Sequence, residues 1–78
     1  MEVLNLKQIG TWEIKAQSFN EYKAVVYECT LEAALRAGCA IINQYFSPRT
    51  YTVAEIQPGE FRCTKDDDPW CVDCKKTL

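Results

Sequence analysis

Residues 11–35, TWEIKAQSFNEYKAVVYECTLEAAL, decide the fold. In the first part, Trp12, Ile14 and Ala16 alternate with Glu13, Lys15 and Gln17. A period of two places each set on its own side of a pleated strand, so residues 11–17 read as a half-buried strand. Ser18 to Glu21 contain Asn20 and form a turn. Residues 22–28 make a second strand whose inner set is Tyr22, Ala24 and Val26. Val25 and Tyr27 then share the other side with Lys23, where two apolar groups need a cover or a partner.

Past Tyr27 the periodicity changes. Thr30 has the side-chain oxygen of an N-cap, and Glu32 in the next turn suits the positive end of the helix dipole. Leu31, Ala34, Leu35, Gly38, Cys39, Ile41, Ile42, Tyr45 and Phe46 then form one apolar stripe, and Ser47-Pro48 stops it. Gly38 weakens a helix by roughly 1 kcal/mol relative to Ala, so its place on the stripe predicts a close approach to the sheet. Residues 50–57 are rich in Thr, Tyr, Val and Ile and predict a third strand. Tyr51 and Val53 have the opposite parity to Ile56, which a bulge reconciles. Pro58-Gly59 ends it.

The order strand, strand, helix, strand predicts an α+β fold of β-β-α-β type. Its sheet has three antiparallel strands in the order 2-1-3, with one helix across one face. The expected core is Trp12, Ile14, Val26, Leu35, Ile42, Tyr45 and Phe46. Residues 1–59 are read as the domain, with 1–10 as an arm whose Val3, Leu4 and Leu6 could cover Val25 and Tyr27. Residues 60–78, short on periodicity and rich in Asp, Lys and Cys, are read as a C-terminal tail.

Composition narrows the function. At 78 residues the chain holds one domain, and a net charge of −2 lacks the clustered cations that nucleic-acid binding needs. No run reaches the roughly 18 apolar residues of a membrane span. MEVLNLKQIG lacks the basic and apolar regions of a leader, so a cytoplasmic location is expected.

There is no histidine, hence neither the commonest general base nor one of zinc's two favoured ligands. Five cysteines are an odd number for a secreted disulfide framework. Cys39 belongs to the helix stripe. Cys63, Cys71 and Cys74 admit three readings: thiolate ligands of a structural zinc, a disulfide within the tail, or plain thiols. Trp70-Cys71-Val72-Asp73-Cys74 has the C-x-x-C spacing of thiol oxidoreductases, but redox chemistry needs the first Cys at a helix N-terminus after a strand. Asp66, Asp67 and Asp68 lack the glycine and spaced Glu of a calcium loop and read as solvated. No nucleophile–base pair or phosphate-binding loop is visible, which argues against an enzyme.

Residues 11–35, then QYFSP at 44–48 and TYTVAEIQP at 50–58, resemble a phage family. It is the small early inhibitor of bacterial host RNA polymerase from Teseptimavirus-type podophages. The similarity is carried by Trp12, Ser18, Tyr22, Val26, Tyr27, Thr30, Leu31, Ala34 and Leu35, then by Gln44, Tyr45, Pro48, Val53 and Pro58. It implies a three-stranded sheet with one helix, binding to a mobile domain of the polymerase largest subunit, and a block on promoter complex formation. The family's third-strand arginine pair falls here on Glu55 and Gln57. Its acidic strip falls on Lys23, Cys29, Ala33, Arg36 and Cys39, with Glu32 the one acid matched.

The expected function is therefore stoichiometric inhibition of a bacterial host protein, with RNA polymerase first. An anti-defence role, such as inhibition of a CRISPR nuclease complex, uses the same physics. A zinc- or thiol-bearing accessory module acting through Cys63, Cys71 and Cys74 is the alternative of another class. The candidate contact residues are Lys23, Val25, Tyr27, Glu32, Glu55 and Trp70, on the strand faces, the helix and the tail.

Overall fold

The computed structural model describes residues 5–47, 49–66 and 68–77. The chain runs β1 (Ile9–Gln17), β2 (Glu21–Thr30), α1 (Leu31–Ile41), β3 (Thr52–Gln57), β4 (Glu60–Thr64) and β5 (Cys71–Thr77). All five strands form one antiparallel sheet in the order β2-β1-β5-β4-β3, with α1 packed on one face.

The first hairpin follows its alternation. Trp12, Ile14 and Ala16 are buried, and their partners Val26, Ala24 and Tyr22 share the helix side. Between Gly10 and Trp12 the register shifts, leaving Tyr27 and Glu28 opposite one residue of β1. Glu28 takes a φ of 46°, a left-handed conformation within this bulge. The Trp12 indole donates to the Cys29 carbonyl at 2.9 Å, which satisfies a polar atom in an otherwise apolar core.

Thr30 is the N-cap, its hydroxyl accepting from the Ala33 amide at 3.1 Å. The next free amides are met by the arm: Leu31 donates to the Gln8 carbonyl and Glu32 to that of Leu6. Leu6 packs on the core here, so it does not cover Val25 and Tyr27; Val3 and Leu4 lie outside the described residues.

The helix ends at Ile41, short of the stripe's end at Phe46. Asn43 adopts a φ of 64°, the Gln44 amide donates to the Cys39 carbonyl and the Asn43 amide to that of Ala40. Those two bonds make a Schellman cap with Asn in the left-handed position. Tyr45, expected in the core, is consequently 77% exposed, while Phe46 returns to it. Pro48, the expected stop, lies outside the described residues.

The larger correction concerns the sheet. Among the described residues it has five strands, not three, and the neighbour of β1 opposite β2 is β5, not β3. Residues 60–78, expected as a tail, supply the two strands that fill the space between β1 and β3. Pro58-Gly59 turns a hairpin: Gly59 has a φ of 77°, its amide donates to the Glu55 carboxylate at 3.2 Å, and Glu60 pairs back to Gln57. β4 and β5 then alternate as β1 does, with Phe61, Cys63, Val72 and Cys74 buried toward α1. The bulge expected in the third strand is present, between Glu55 and Gln57.

α1 crosses the sheet over β1 and β5. A methyl at Gly38 would collide with Val72 and stand 3.0 Å from Ile14, so glycine is what allows this approach. At the β3 side, Phe46, Tyr51 and Trp70 close the core by edge-on contacts of 5.8 Å and 5.3 Å between ring centroids. None of the helices in the described residues is long and apolar enough to cross a membrane.

Candidate functional site

Sheet order makes β2 an edge strand. Among the described residues its outer backbone groups have no strand partner, and a strand edge of this kind is a template for pairing with another chain. From Glu21 to Val26 it pairs with β1 without interruption, so the free edge is regular over that stretch.

On the face away from the helix, Val25 stands opposite Glu13 and Lys23 opposite Lys15. Val25 is 48% exposed, and Tyr27, at the bulge, is 74% exposed. The two like-charged lysines share Glu21, whose carboxylate lies 3.3 Å from Lys15 Nζ and 3.9 Å from Lys23 Nζ. Further across, Arg62 makes a forked pair with Asp73 at 2.9 Å and 3.1 Å. Glu13, Lys15, Lys23, Val25, Arg62 and Asp73 line an open depression of about 600 Å³.

On the helix side of the same edge is a surface that the sequence reading passed over. Phe19, at the tip of the β1–β2 hairpin, is 99% exposed. With Tyr22, Ile41 and Ile42 it borders a shallow groove of about 250 Å³ between the hairpin tip and the end of α1. Sequence does carry a signal for it: an aromatic residue in a turn of four, Ser18-Phe19-Asn20-Glu21, has no element of its own to bury against.

The other expected contact residues are scattered. Glu32 is on the helix, paired with Arg36 at 2.9 Å. Glu55 lies on β3, at the far edge of the sheet, and Trp70 is buried, at 5% exposure, with its indole donating to Asp68 at 3.3 Å. Trp70 is thus a core anchor and offers a partner nothing. Lys23, Val25 and Tyr27 alone come together.

The cysteines separate as well. A strand turns Cys71 and Cys74 to opposite faces, so the C-x-x-C pair cannot converge on one ion, nor does it sit at a helix start. Cys63 and Cys74 face the helix, both buried near Cys39. Burial pushes the Cys74 thiol up to about 12. The Cys63 thiol is pushed up by its hydrogen bond with Cys39 and by burial. Both stay protonated at neutral pH, and a thiol, unlike a thiolate, is a poor nucleophile. Among the described residues no group of three or more acidic or cysteine side chains is placed to hold a metal ion. Asp67 of the acidic run lies outside them.

No family model, curated protein or solved structure matches this chain at a significant level.

Proposed function

We propose that this protein is a small inhibitor that docks stoichiometrically on a bacterial host protein, in the host cytoplasm, through the β2 edge. The observation that carries this reading is the concentration of exposed apolar side chains along one free strand. Phe19 and Tyr22 lie on its helix side and at its tip, with Val25 and Tyr27 completing the edge. Exposed aromatics beside unpaired backbone are the material of binding hot spots. Nothing comparable lines β3, where Ile56 is the sole large apolar side chain exposed in the strand.

The largest subunit of host RNA polymerase is the first target to test, because the residue-level resemblance over 11–58 points there. The three-stranded sheet that the resemblance implied is replaced by five strands, and its contact positions are mostly unmatched here, so it supplies a first target to test and nothing more. Purified bacterial polymerase and the protein are mixed and separated by size exclusion, and promoter-dependent transcription is measured alongside. Supporting results are a one-to-one complex and inhibited transcription, both lost with Val25→Glu. Absence of a complex at micromolar concentrations removes the polymerase as target.

A further inference from the structure

We infer that the β2 edge takes up an extended segment of its partner as an antiparallel sixth strand carrying an acidic residue opposite Lys23 and an apolar one opposite Val25. This rests on the docking role proposed above and adds the mode of contact.

Among the described residues the sheet has two free edges, and they differ. β3 is short, bulged between Glu55 and Gln57 and followed by Pro58, which has no amide to donate. β2 keeps an even register with β1 from Glu21 to Val26, long enough for a strand of ordinary length to lie along it. An antiparallel guest continues the pairing used throughout the sheet, which is also the more stable one per residue.

Charge specifies the guest further. Side chains on the open face form rows across the strands. One row reads Val25, Glu13, Lys75, Glu60; the next reads Lys23, Lys15, Asp73, Arg62. Every neighbouring charged pair in these rows is of opposite sign except Lys23 and Lys15. Like charges directly opposite one another are unfavourable, and here their common counter-ion, Glu21, is offset along β2 and held closer to Lys15. Lys23 is the outermost member of its row, with a side chain 75% exposed. An acid on its outer side extends the alternation by one strand, while Val25 offers an apolar neighbour in the next row. Read from its N-terminus, the antiparallel guest therefore runs apolar–any–acidic on this face. Its intervening residues fall on the helix side beside Tyr22, Ala24 and Val26, where the pattern leaves their type open.

The test uses the full chain and two capped peptides of equal composition, each flanked by serines. Val-Ile-Val-Glu-Val-Lys places Glu against Lys23 and Lys against Glu21; Val-Ile-Val-Lys-Val-Glu reverses both. Binding is followed by amide chemical shifts. The expected result is perturbation centred on Glu21–Val26 with an about fivefold preference for the first peptide, the effect of a cross-strand ion pair. The exchange variant Glu21→Lys/Lys23→Glu should reverse the preference, and N-methylation of the peptide backbone should abolish binding. The inference is overturned by shifts confined to other surfaces, by a preference that the exchange variant leaves unchanged, or by β2 pairing with a second copy of the chain. A stoichiometric host complex without peptide binding at β2 would refute strand addition and leave the docking role standing. Peptide binding without any host complex would do the reverse.

Discussion

Gly38 of α1 lies directly against Val72 of β5, with no room between them for a methyl group. The contact joins the middle of the helix to the last strand of the chain. It means that the C-terminal residues complete the core, and three consequences for stability follow from that packing.

Truncation after Gly59 should abolish the cooperative thermal transition. It removes Phe61, Cys63, Trp70, Val72 and Cys74 from the core and leaves β1 without its second neighbour. Trp12 would also lose its edge-on contact with Phe61 at 5.9 Å. A truncated chain that still melts cooperatively by near-ultraviolet circular dichroism would contradict the packing.

Gly38→Ala should destabilise by up to about 2 kcal/mol. The better helix former gains roughly 1 kcal/mol, but forcing a methyl onto a stiff valine costs about 1–3 kcal/mol. Urea titrations of Gly38→Ala, Val72→Ala and the double variant check the cause. The double variant should be more stable than the two single costs predict, because Val72→Ala makes the room that Gly38→Ala needs.

Stability should fall in alkali. The Cys74 thiol has a folded-state value of about 12, raised by burial above the ordinary 9.0. Above pH 9 the unfolded chain releases this proton while the folded one retains it. The folded state thus binds more protons, and its stability drops as pH rises, by up to about 1.4 kcal/mol per pH unit for this thiol. Urea midpoints measured under reducing conditions between about pH 8 and about pH 10.5 should decline. The decline should be shallower in Cys74→Ala, whatever its starting stability.

Legibility in the sequence followed the strength of the local signal. Trp12-Glu13-Ile14-Lys15-Ala16 and the Thr30 cap were readable because alternation and capping are short-range. The helix end was not, because Asn43 stops it with a left-handed backbone while the apolar residues Tyr45 and Phe46 continue the period. β4 and β5 were missed for a chemical reason. Phe61-Arg62-Cys63 and Val72-Asp73-Cys74 alternate as well as β1 does, but cysteine reads equally as a metal ligand, a reactive thiol and a small apolar side chain, which hides the alternation. The edge was half legible. Val25 and Tyr27 stood out as apolar groups without cover, whereas Phe19 and Tyr22 needed the hairpin and the helix end to be placed together.

Exposure predicts that the edge tolerates charge. Tyr27→Glu should shift stability by no more than about 0.5 kcal/mol, the usual range for surface positions, while Val25→Glu, which sets a second carboxylate opposite Glu13, should cost up to about 1 kcal/mol. Neither side chain belongs to the core, and Leu6 packs elsewhere. A loss above about 2 kcal/mol in either variant, read from urea midpoints, would show that the patch is covered in the folded protein.

The most direct test of the account is affinity capture from bacterial lysate, with wild-type protein compared against Val25→Glu/Tyr27→Glu and Phe19→Ser variants of unchanged circular dichroism. Retained proteins are quantified by mass spectrometry. The account predicts one host protein held at stoichiometric amount by the wild type and lost from the edge variants. A host protein retained equally by all of them, or none retained at stoichiometry, would contradict docking through β2.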